Sequence, residues 1–130
     1  MRSLGVDYGK KRVGVALSDE SGKFALPKAV LPAGTKLADA LSALAASAGV
    51  KKIIIGESRD YGGRENALFA DVHVLERQLK VLGFEVILEP EYGSSVEASR
   101  FQGKNEMNDA SAAAIILQRY LDKNNGTNNN

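Results

Sequence analysis

An α/β fold built on a mixed five-stranded sheet, with helices on both faces, is what this chain of 130 residues predicts. Three observations point there. The opening reads as three short apolar strands joined by tight turns, which is an antiparallel meander. The middle alternates helical patterns with two apolar runs, residues 52–56 and 85–89, so two further strands join the sheet in parallel through right-handed crossovers. The end is helical again, giving the order β-β-β-α-β-α-β-α-α.

The first strand spans residues 4–6 and carries Asp7 at its end; a turn through Tyr8, Gly9, Lys10 and Lys11 returns the chain as a second strand over 13–17. The third spans 24–31, and Pro27 inside it predicts an edge or interrupted strand, because proline has no N–H for a ladder. Leu37, Leu41, Leu44 and Ala48 recur on one helical face, with Thr35 as candidate N-cap and Gly49 as the terminating glycine. The run Ile53-Ile54-Ile55 predicts a strand covered on both faces. A long charged loop follows it, from Glu57 to Glu65. Leu68, Val72, Leu75, Leu79 and Leu82 give the next helix its stripe, with His73 off that stripe and hence at the surface. After the fifth strand, Ser94 and Glu97 form a capping box for a short third helix ending near Gly103. A last helix over 109–122 has Ala113, Ile116, Leu117, Tyr120 and Leu121 on its apolar face. The expected division is a domain over 1–123 and a disordered Asn-rich tail over 124–130.

Composition excludes several chemistries. There is no cysteine and one histidine, which removes disulfides and thiolate or His-rich zinc sites. No apolar run approaches the ~20 residues that a membrane helix needs. No signal-like segment opens the sequence, so the cytoplasm is the default location. With 17 basic and 16 acidic residues the net charge is +1, so any hold on nucleic acid comes from local clusters.

Three acids carry the chemistry. Asp7 leaves the first strand, Glu91 follows the fifth, and Asp109 opens the last helix, four residues before Ala113 and seven before Ile116 and so on its buried side. If the first and fifth strands are neighbours, the three meet. Clustered carboxylates repel, and a hard divalent cation relieves that repulsion. With only oxygen donors available, Mg²⁺ or Mn²⁺ is the expected ion. Such ions beside basic loops fit phosphodiester cleavage, with the acids as ligands. Lys10, Lys11, Arg12, Arg59, Arg64, Arg100 and Lys104 lie on the loops and helix ends nearest these acids and are the candidate phosphate contacts. Arg12 has a second possible role as an anchor of the hairpin. Glu57, Asp60 and Glu106 read as surface charges.

The motifs resemble those of the YqgF family, the Holliday-junction-resolvase-like or pre-16S ribosomal RNA nucleases of the ribonuclease H-like superfamily. Gly5-Val6-Asp7-Tyr8-Gly9 with Lys11-Arg12-Val13-Gly14-Val15-Ala16 resembles its opening motif. Glu91 with Ser94-Ser95-Val96-Glu97-Ala98 resembles the middle acid and the helix start after it. Asp109-Ala110-Ser111-Ala112-Ala113 with Ile116-Leu117-Gln118 resembles the closing helix. The resemblance covers about residues 3–122 and implies Asp7, Glu91 and Asp109 as a metal-binding catalytic triad. It implies a nuclease, with the 5′ end of pre-16S ribosomal RNA as substrate or, alternatively, four-way DNA. The active species would be a monomer or a homodimer. Gly56-Glu57-Ser58-Arg59-Asp60 departs from the family's Gly-Leu-Pro loop, and Pro90 replaces the acid that often precedes the middle Glu. Two other classes compete. An Asp-x-Gly turn between strands also resembles the phosphate loop of actin-like phosphotransferases, which need a second domain. A catalytically silent RNA-binding module would not need all three acids.

Overall fold

The computed structural model describes residues 2–58, 69–91 and 106–127. In chain order these form β1 (Ser3–Asp7), β2 (Arg12–Ser18), β3 (Ala25–Pro32), α1 (Leu37–Ala48), β4 (Lys52–Ser58), α2 (Phe69–Val81), β5 (Glu85–Glu91) and α3 (Glu106–Thr127). The five strands make one sheet in the order β3-β2-β1-β4-β5. The first three run antiparallel, and β4 and β5 join in parallel. This is the mixed sheet the sequence predicts.

β3 is an edge strand, and its register with β2 shifts between Val15 and Ala16, where Ala29 and Pro27 are the successive partners. Proline is tolerated there because the missing donor faces no further strand. The covered strand is β4. Ile53 and Ile55 lie on one face with Leu4, Val6, Val13, Val15 and Val86, packed against Leu37, Leu41, Ala45, Val72, Leu75 and Leu79 of α1 and α2. Ile54 faces the other way and packs with Ala113, Ile116, Leu117 and Leu121 of α3. Each fully buried Leu or Ile stabilises by about 1.5–3 kcal/mol. Two-sided burial of β4 therefore outweighs any surface ion pair in holding the layers together.

The structure departs from expectation in helix ends and in strand order. The residue capping α1 is Lys36, with no side-chain cap, in place of Thr35; at the other end Gly49 closes the helix at φ 70°, the left-handed conformation that glycine adopts without strain. The last helix starts at Glu106 and runs through Thr127, so residues 124–127, expected in a disordered tail, are helical. Adding a residue to a formed helix gains a hydrogen bond without a new nucleation cost. Most consequentially, β1 and β5 are not adjacent, because β4 lies between them. The short third helix expected after Ser94 lies outside the described residues.

Candidate active site

The site is set by how closely α3 approaches the sheet. Three positions on the α3 side carry no side chain. A Cβ at Gly5 would lie 2.7 Å from Leu117 Cβ, one at Gly56 would lie 2.5 Å from Ile116 Cδ1, and one at Gly14 would overlap the Asp109 carbonyl oxygen. Glycine is what permits such contact between a helix and a strand backbone.

Gly14 is also the register partner of Asp7. Directly opposed residues of an antiparallel pair share a face, their Cβ positions ~5 Å apart. The end of β1 and the first turn of α3 therefore converge at one point, and Asp7 and Asp109 belong to it. The row continues across the sheet. Val6 pairs with Ile55, which sets Asp7 level with Gly56, and Gly56 pairs with Glu89. Glu91 lies two residues beyond Glu89, in register with Ser58 at the end of β5. Two strand spacings separate β1 from β5, about 10 Å. Asp7 and Glu91 are thus at the same end of the sheet but not side by side, which corrects the expectation of adjacent strands. Among the described residues no three acidic or histidine side chains gather at one point.

Asp109 has a partner that its sequence position does not announce. Arg12 Nε lies 2.9 Å from Asp109 Oδ2, with the two side chains 42% and 21% exposed. Oδ2 itself is buried and accepts no aligned hydrogen bond, so Arg12 holds it by charge and proximity. Arg12 begins β2, opposite Pro32. Lys10 and Lys11 are exposed on the turn between Asp7 and Arg12. Arg59, Arg64, Arg100 and Lys104 lie outside the described residues, as does Asp60. Glu57 is the second-to-last residue of β4, and Glu106 starts α3.

A buried carboxylate that sequence reasoning missed is Glu89. It is 4% exposed, and its Oε2 accepts a 2.6 Å hydrogen bond from Lys123 Nζ of α3. The strand alternation carries the signal: Ile87 and Glu89 are two apart, and Ile87 packs on the α3 side.

On the opposite face, beside the same hairpin, a cleft of about 370 Å³ is lined by Tyr8, Lys10, Thr35, Asp71 and Gln78 among others. Burial, followed by the nearby Asp71 carboxylate, raises the Tyr8 phenol above its ordinary pKa, so it stays neutral well past physiological pH.

Five strands in this order, an acid ending the central strand and a second acid where the closing helix meets the sheet define a ribonuclease H-like α/β protein. The chain belongs to the family described as RuvX, Holliday junction resolvase, which it matches over residues 1–123. It is 32% identical over 122 residues to a Bordetella parapertussis protein named "Putative pre-16S rRNA nuclease", covering 92% of each chain. It is 34% identical over 133 residues to a Syntrophus aciditrophicus protein of the same name, covering 94% of this chain and 89% of that one. Among solved structures it is similar to T. thermophilus RuvC in complex with a Holliday junction substrate, with TM-score 0.62, 16% identity and 98% of each chain covered. A fowlpox virus resolvase bound to junction DNA gives TM-score 0.60 at 10% identity, over 95% of this chain and 98% of that one. The chain is accordingly a nuclease, a hydrolase of phosphodiester bonds.

Proposed function

We propose that the chain is a divalent-metal-dependent endonuclease that trims the 5′ end of pre-16S ribosomal RNA, with Asp7, Glu91 and Asp109 as the ligands of Mg²⁺ or Mn²⁺. The observation that carries it is the convergence of Asp7 and Asp109 across Gly14, with Asp109 Oδ2 buried and short of an aligned donor. A buried carboxylate oxygen without a hydrogen bond is costly. An all-oxygen set free of thiolate and imidazole suits a hard cation. Glu91 stands farther off, at the end of β5 in register with Ser58. Bound there, the ion would polarise the scissile phosphate and acidify a water.

The chain's own residues do the rest. Lys10 and Lys11 draw the phosphate backbone to the hairpin beside Asp7. Arg59 and Arg64, which follow β4 in the sequence, are assigned to the same backbone. The rigid seat of α3 on Gly14 fixes the two aspartates relative to each other, which positions a reacting group without further reorganisation. The RNA assignment rests on relatives matched over nearly their whole length. A second reading, four-way DNA, is favoured by the description of the family itself. Nothing comparable supports a phosphotransferase or a silent module. No helix among the described residues is long and apolar enough to cross a membrane.

The test is cleavage of two labelled substrates, a pre-16S RNA 5′ end and a mobile four-way junction, with Mg²⁺, Mn²⁺ or chelator. Metal-dependent cutting of the RNA, lost in Asp7→Asn, is the expected result. Cutting of the junction alone would transfer the assignment to DNA. Cutting that survives both chelator and Asp7→Asn would sink the metal-site reading.

A further inference from the structure

Arg12 sits where a catalytic metal would meet competition. Its guanidinium is the only cation that the structure shows against the Asp109 carboxylate among the described residues, and it touches Oδ2, the buried oxygen. We propose that Arg12 is a displaceable counter-ion: it neutralises Asp109 while the site is empty, yields the carboxylate to a divalent cation, and then turns to a phosphate of the nucleic acid. The inference rests on the metal-nuclease reading above and adds a role for a residue that is neither ligand nor fixed anchor.

Three features support displacement over a permanent structural bridge. The contact uses Nε at 2.9 Å without hydrogen-bond alignment, so it lacks the paired, parallel geometry of a strong Arg–carboxylate bridge. The Arg12 side chain is 42% exposed, so it can leave without opening the core. Arg12 starts β2 directly after Lys10 and Lys11, so a short swing carries it into the same basic turn. Once released, its planar fork suits a phosphate better than a lysine would. A divalent ion and a guanidinium cannot share Asp109 cheaply, because like charges a few ångströms apart repel strongly in a partly buried setting. Toward the metal, Arg12 thus acts through Asp109 as a positioning residue.

The consequence is unusual, since removing a site residue should improve metal binding. Mn²⁺ is titrated into the full chain, without nucleic acid, and followed by electron paramagnetic resonance. Arg12→Gln should bind Mn²⁺ about fivefold or more tightly than wild type. Arg12→Lys, which keeps the charge, should stay near wild type, and Asp109→Asn in the Arg12→Gln background should erase the gain. Melting temperatures give an independent readout. Arg12→Gln should melt lower than wild type without metal, and saturating Mn²⁺ should close that gap, because the ion replaces the lost counter-ion. Unchanged or weaker Mn²⁺ binding by Arg12→Gln, or a melting gap indifferent to Mn²⁺, would overturn the counter-ion role while leaving the metal site intact. No Mn²⁺ binding by wild type itself would instead remove the metal-nuclease reading on which the inference stands.

Discussion

The missing methyl group at Gly14 is what lets the first turn of α3 seat against β2. Its bare Cα lets the Asp109 carbonyl rest on β2, and Asp7 is its register partner. Gly14→Ala should therefore lower stability by about 1–3 kcal/mol through overpacking against backbone that cannot rotate away. It should also push the first turn of α3 off the sheet and weaken Mn²⁺ binding. Gly5→Ala is the matched control, because its Cβ would press on Leu117, two helical turns farther along α3. It should cost similar stability in urea unfolding yet leave Mn²⁺ affinity near wild type. Equal metal affinity in both variants would mean that the Gly14 contact does not set the spacing of the two aspartates. At this scale the sequence singles out Asp7 and Asp109 and is silent about their counter-charge. Asp7 and Asp109 stand out because acids are disfavoured at a strand end and on an apolar helix face. The partnership of Arg12 with Asp109 joins residues far apart in the chain, and no local pattern encodes it.

Two helices illustrate how element-level electrostatics follow from burial. On α3, Lys123 reaches Glu89, whose side chain is only 5% exposed while the lysine is 59% exposed. The pair lies between a surface bridge, worth under about 1 kcal/mol, and a buried one, whose breaking costs about 3–5 kcal/mol. Lys123→Met should thus cost about 2 kcal/mol, and adding Glu89→Gln should restore part of it, both read from chemical denaturation. On α2, Glu76 takes a 2.9 Å bond from Lys80 and lies 3.1 Å from His73 Nδ1. Its pKa is lowered, chiefly by the Lys80 hydrogen bond, while burial pushes it the other way. A depressed carboxylate pKa stabilises the fold above its unfolded value, near 4.3, and that stability is lost as pH falls through the folded value. Glu76→Gln should therefore cost about 0.3–0.5 kcal/mol at neutral pH and nothing near pH 2, measured as the difference in unfolding free energy. The elements themselves were legible because apolar spacing reports the period directly. Their ends were less so: α1 begins without a side-chain cap, and α3 continues past its apolar stripe through polar residues such as Lys123 and Asn124, which bond to Glu89 and to the Tyr120 carbonyl.

Across the whole molecule, strand order decides what the site is, and strand order is the feature least written in local sequence. The isoleucine run shows that β4 is covered on both faces, but not that it separates β1 from β5. That choice is tertiary, made by which crossover buries more surface against α1, α2 and α3. It places Asp7 and Glu91 on one end of the sheet, two strands apart, and leaves the basic turn of Lys10 and Lys11 at that same end. The net charge of +1 cannot steer a polyanion from a distance, so attraction must be local to this end. Each phosphate neutralised by a cation releases bound counter-ions, and the affinity falls with salt by about 0.7–0.9 logarithmic units per contact. Replacing both Lys10 and Lys11 by Gln, in an Asp7→Asn background that does not cut, should flatten the salt slope of RNA binding by about 1–2. Lys51, exposed just before β4 at the opposite end of the sheet, provides the comparison. Lys51→Gln should leave the slope unchanged. Fluorescence anisotropy over a range of potassium chloride concentrations reads both. A slope lowered equally by either substitution would mean that the chain holds RNA by diffuse charge, and the basic turn would lose its assignment as the phosphate contact of the site.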